Sequence, residues 1–129
     1  MKKTVFSILL LLPIIHCFGQ AVNLDNAKKR IQGTWLAQGD SICELLVTAD
    51  SITTFHFRAG GVSGCSYTIN ASPCEKLVKF PAATGMYLVE QYKDKTLCCS
   101  ISELTDISLK IIYPGGYEMT YKLEDLKKH

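Results

Sequence analysis

The chain has 129 residues, with 14 Lys and Arg against 12 Asp and Glu, and six cysteines. That length holds one domain beyond a leader. A charge near balance, with no basic patch and no aromatics interleaved with Lys or Arg, excludes a nucleic-acid binder built on phosphate contacts.

The N-terminus reads as an export signal of residues 1–21, leaving a mature domain of residues 22–129. Lys2 and Lys3 form a positive n-region, residues 5–15 are almost unbroken apolar sequence, and the small residues Gly19 and Ala21 follow. The apolar run is too short to span a bilayer. Cleavage would leave Gln20 or Val22 at the new N-terminus, so the mature chain is expected in the periplasm, in the cell envelope or secreted. Cys17 sits where a bacterial lipoprotein carries its lipidated cysteine, although His16 occupies the position that site reserves for a small residue. A membrane is a partner only if Cys17 is lipidated. Without Lys2 and Lys3 the basic count falls to 12 against 12 acids.

Residues 24–32 predict a short helix, with Asn23 or Asp25 as its cap and Gly33 as its stop. Lys28-Lys29-Arg30 is then its solvated face. Turn signals recur along the rest of the chain at the spacing of an all-β sandwich or barrel. Strands are predicted at 34–38, 42–48, 52–58, 65–70, 77–80, 86–92, 96–102, 108–113 and 117–123. Hairpins are expected around Ala49-Asp50-Ser51, Lys93-Asp94-Lys95 and Pro114-Gly115-Gly116, and a break at Gly60-Gly61 and Gly64.

Alternation then assigns faces. Cys43, Leu45 and Val47 share one, as do Cys65, Tyr67 and Ile69, and Leu97, Cys99 and Ile101. Leu109, Ile111 and Tyr113 align, as do Tyr117, Met119, Tyr121 and Leu123. Phe55 and Phe57 are taken as inward, with Ile52, Thr54, His56 and Arg58 opposite. Eight or nine short antiparallel strands must hide their edges, and closure does that. The expected fold is all-β: a small up-and-down antiparallel barrel after a short N-terminal helix.

Cys43, Cys65, Cys74, Cys98 and Cys99 remain in the mature chain, and an odd number leaves at least one unpaired within it. An exported domain this small is expected to carry a disulfide. Cys43, Cys65 and Cys99 have core-face patterning, Cys74 lies beside a turn and Cys98 points outward. The pairing Cys43–Cys99 is suggested, with Cys65–Cys74 as its rival. Adjacent on one strand, Cys98 and Cys99 point to opposite faces and do not make a redox pair. No Cys-x-x-Cys occurs, and only His56 and His129 lie outside the signal, so no metal site and no cofactor are expected.

No catalytic set emerges. A nucleophile needs a base held by a third group, and neither His129 at the terminus nor His56 on its strand has such a setting. Gly60-Gly61-Val62-Ser63-Gly64 precedes no helix pattern and reads as a loop, not a phosphate cradle.

A short helix, then Gly33-Thr34-Trp35 opening the first strand, then a meander closing at 117–123, resembles the lipocalin pattern. The likeness is closest to small bacterial lipocalin-like domains of the calycin type, and it covers residues 24–123. It implies that Trp35 plugs the closed end of the barrel under a basic side chain from beyond the last strand, a part left to Lys122, Lys127 or Lys128. It also implies a small hydrophobic ligand, bound without catalysis at an open end lined by Phe55, Phe57, Tyr67 and Met119. The alternative is a protein-binding or inhibitor module whose barrel is filled by side chains, with contacts from residues 58–64 and 80–85.

Overall fold

The computed structural model describes residues 23–39, 43–74 and 81–124. The signal segment, the strand expected at 77–80 and Lys127 and Lys128 lie outside them. Helix α1 (Leu24–Arg30) is capped by Asn23, whose side chain accepts the Asn26 N–H at 3.1 Å. Eight strands follow: β1 (Gly33–Ala37), β2 (Cys43–Val47), β3 (Ser51–His56), β4 (Gly61–Asn70), β5 (Met86–Gln91), β6 (Thr96–Leu104), β7 (Ser108–Tyr113) and β8 (Tyr117–Leu123). Each pairs antiparallel with the next, and β8 returns to β1, closing the barrel. The closing seam extends past the strands: Gln38 donates to the Thr120 carbonyl and Glu124 to that of Thr34, both at 2.8 Å.

β4 begins at Gly61 rather than at Cys65. Gly61 and Gly64 do not break the chain, because they pair with His56 and Thr53 and join β3 and β4 in one long hairpin. Gly33 holds φ at +141°, and a Cβ there would meet Leu123 Cδ1 at 2.9 Å. The chain therefore needs glycine where it leaves the helix and passes under β8.

Cross-strand partners share a side of the sheet, so the register settles which face is inward. Leu45 opposes Thr54 and Glu44 opposes Phe55. Leu45 is core, so Ile52, Thr54 and His56 face the interior and Phe55 and Phe57 face out. This corrects the face assigned to β3: two bulky aromatics suggested the core side, but Ile52 holds it at 1% exposure while Phe57 is 57% exposed.

The core lies in the half of the barrel nearest α1, where Ile31, Trp35, Val47, Ile52, Leu88, Ile101 and Leu109 pack together. Trp35 is completely buried, and its indole N–H donates to the Ile31 carbonyl at 2.7 Å. Lys122 does not cover it. Lys122 pairs with Leu36, on the outward side, and is exposed. Among the described residues the end of the helix, at Ile31, packs on Trp35.

Among the described residues the outer wall is covered in one region. Tyr87, Val89 and Ser100 are buried although their parity is outward. The described ends of the β4–β5 connection bond there. The Tyr87 hydroxyl accepts the Ala82 N–H at 3.1 Å, Thr84 donates to the Ile101 carbonyl, and Cys74 is disulfide-bonded to Cys98. This bridge replaces both suggested pairings. Cys43, Cys65 and Cys99 are free thiols on the inner wall, while Cys98 is the outward cysteine and so the one within reach of the connection.

Candidate functional site

The strands place their β2, β4, β6 and β8 starts, and the ends of β3, β5 and β7, at the end of the barrel opposite α1. There the interior opens into a cavity of about 440 Å³, within the size range of small-molecule sites. Thr54 and His56 of β3 form one side, with Arg58 and Ala59 of the β3–β4 turn at the rim. Tyr113, Tyr117, Met119 and Tyr121 of β7 and β8 form another. Glu90 and Tyr92, from β5 and its turn, stand with Leu97 on a third.

Of the residues expected to bind a ligand, Met119 lines this cavity. Tyr67 does not. It points inward, but its hydroxyl reaches the Thr48 carbonyl at 2.7 Å, towards the closed end, and the ring is part of the packed core. Phe55 and Phe57 lie on the outer surface, and His56, set aside from the sequence, contributes to the rim.

Glu90 is the feature sequence reasoning missed. It is 3% exposed, at an inward position between Leu88 and Tyr92. The alternation Met86, Leu88, Glu90, Tyr92 was a legible signal: an acid occupies a core-parity position of an apolar strand. Its Oε2 accepts the Tyr92 hydroxyl at 2.9 Å. Burial raises its carboxyl above the usual carboxylate range, against the Tyr92 hydrogen bond and the charge of Lys95, which lower it. Lys95 Nζ stands 5.3 Å from the Tyr92 ring centroid. Among the described residues the salt bridge is Arg30–Asp106, at the closed end, and no cation lies within salt-bridge distance of Glu90.

The surrounding phenols and thiols are held neutral. Burial, and then the charge of Glu90, pushes Tyr92 far up. Burial likewise raises Tyr113 and Tyr121, whose hydroxyls meet at 3.0 Å. Burial raises the Cys43 thiol, and burial followed by Glu90 raises Cys65 and Cys99. A thiol shifted upwards is a poor nucleophile and a poor metal ligand, because both roles belong to the thiolate. Among the described residues no group of three or more His, Cys, Asp or Glu side chains could hold a metal ion.

The arrangement is thus an open, tyrosine-lined cup with hydroxyl groups, a buried carboxyl and an arginine at its rim. Comparison with protein-family models, with curated proteins and with solved structures finds no match. The closed eight-stranded antiparallel barrel is compatible with a calycin or lipocalin-like fold.

Proposed function

We infer that this protein is an exported lipocalin-like carrier or sensor that holds a small, largely apolar molecule in the mouth of its barrel without transforming it. The observation that carries the reading is the 440 Å³ cavity. Side chains fill the half of the barrel around Trp35 and leave the other half open. An eight-stranded barrel has room for one such ligand when its interior residues leave a gap. Raised thiols and neutral phenols suit containment rather than nucleophilic chemistry. The Cys74–Cys98 bridge fits an oxidising, extracytoplasmic setting.

The test is native mass spectrometry of the protein purified from its own cells. A retained small molecule, lost on denaturation and absent from a Leu97→Trp variant that fills the cavity, supports the reading. Protein that comes out empty and takes up no apolar probe counts against it.

One observation favours a protein-binding surface as a second reading. Phe57 and Val62 are exposed on the outer face of the β3–β4 hairpin, Val62 at 66%, beside Phe55. Exposed apolar side chains gathered on one hairpin are a recurrent feature of contact surfaces. Pull-down with Phe57→Asp and Val62→Asp as the control distinguishes the two readings.

A further inference from the structure

A cavity intended only for hydrocarbon has no use for Glu90. Its side chain is inside the barrel, nearly sealed from bulk water, and forms part of the cavity wall. Its recorded hydrogen bond comes from Tyr92, a neutral donor. Lys95 acts on this carboxyl only from beyond salt-bridge distance. Burying a carboxyl with no cation in direct contact is costly, so a protein that keeps one in an open cup has a reason to present it. Tyr92, Tyr113, Tyr117 and Tyr121 line the same cavity, and the first of them touches the carboxyl. The Tyr113 and Tyr117 rings form a tilted pair, with centroids 6.5 Å apart and planes at 38°. Aromatic faces grouped about one carboxylate are the chemistry that recognises a cationic nitrogen, by ion pairing on one side and cation–π attraction on the others. Lys95, placed over the Tyr92 ring, already uses one such face.

We propose that the molecule held in this barrel carries a protonated amine at its buried end, seated against Glu90 within the tyrosine wall, with its apolar body along Leu97 and Met119. The inference rests on the carrier reading and narrows it to amphiphilic amines. Arg58 and His56 line the same cavity from the end of β3 and its turn, so they tolerate or favour an acceptor group on the outer end of the ligand. The nitrogen has to seat beneath them.

The experiment uses three probes of one shape: tryptamine, its alcohol counterpart tryptophol, and indole-3-propionate. Binding to the mature protein is measured by calorimetry. Tryptamine is expected to bind at least about tenfold more tightly than tryptophol, because its ammonium pairs its charge with the Glu90 carboxylate where the hydroxyl only donates a hydrogen bond. Glu90→Gln is expected to abolish that preference, tryptamine falling to no tighter than tryptophol, with near-ultraviolet circular dichroism showing a folded barrel. Should Glu90→Gln fail to fold, the wild-type ranking of the three probes decides the matter alone. Tryptophol equal to tryptamine, or the propionate tightest of the three, overturns the amine assignment and leaves the carrier reading intact. If none of the three binds, the amine assignment is overturned, while the carrier reading is decided separately by the retained molecule in native mass spectrometry.

Discussion

The indole N–H of Trp35 donates to the carbonyl of Ile31 at 2.7 Å, tying the first strand of the barrel to the residue that caps the end of its helix. Both residues are completely buried. One aromatic side chain therefore supplies the plug of the closed end and the hydrogen bond that fixes α1 across it. Trp35→Ala should lower the unfolding free energy by about 3–5 kcal/mol, the range for deleting a large buried aromatic. Trp35→Phe keeps much of the packing but strands the Ile31 carbonyl, and should cost about 1–3 kcal/mol. Urea denaturation followed by far-ultraviolet circular dichroism measures both. A loss under about 1 kcal/mol for Trp35→Ala would mean the plug is dispensable.

Cys74 and Cys98 are 24 residues apart in sequence, and their bridge holds the β4–β5 connection to the outer wall. Cross-linking a loop of that length contributes about 3 kcal/mol, chiefly by restricting the unfolded chain. The Cys74→Ser, Cys98→Ser double variant should lose a stability of that order. Thiol counting on the mature chain under denaturing, non-reducing conditions should find three free groups, Cys43, Cys65 and Cys99. Five would refute the bridge. In the native protein Cys99 should react with thiol reagents last, since it is completely buried and its thiol is raised.

The Glu90 carboxyl is raised above its ordinary value of 4.5. A raised acid favours the protonated form in the folded state, so the folded protein binds more protons than the unfolded chain between the two values. Its contribution to stability is complete below about pH 4.5 and is lost as pH climbs through the raised value. Glu90→Gln carries no titrating group. The stability of Glu90→Gln relative to wild type should therefore increase with pH across that window and level off above it. Parallel urea titrations of the two proteins from pH 4 to 8 check this. A difference that is flat, or that falls with pH, would show that Glu90 is not buried at a cost.

Phe57 and Leu97 separate the outer surface from the cavity. Phe57 is on the outside, so Phe57→Arg should change stability by no more than about 0.5 kcal/mol and leave probe affinity unaltered. Leu97 lines the cavity, and Leu97→Trp should weaken binding of the same probe by an order of magnitude or more through lost volume. Calorimetry on the two variants side by side measures this. Loss of binding in Phe57→Arg alone would move the site to the outer face of the β3–β4 hairpin.

The helix, the strand sequence and the closed topology were legible in the amino-acid sequence because they depend on local signals. Asn23 sits where a cap belongs, Gly115 and Gly116 sit where the last hairpin turns, and the strands alternate. The inner faces of β2, β4, β6, β7 and β8 could be read the same way, since each has one plainly apolar side. β3 could not. Its two sides compete, Ile52 against Phe55 and Phe57, and a period of two says only that the sides differ. The register with β2 and β4 decided it.

The amino-acid sequence by itself determined an all-β meander, with a tryptophan at the start of its first strand and cysteines suited to a bridge. Tertiary structure alone decided which cysteines pair, because pairing depends on where the β4–β5 connection lies against β6, a relation no local pattern encodes. It also decided that the interior is half filled. Whether inward side chains meet across a barrel depends on strand stagger and on rotamers that point them towards one end or the other. Tyr67 and Trp35 lean towards the closed end, and that displacement leaves Glu90 and the tyrosines of β7 and β8 facing open space.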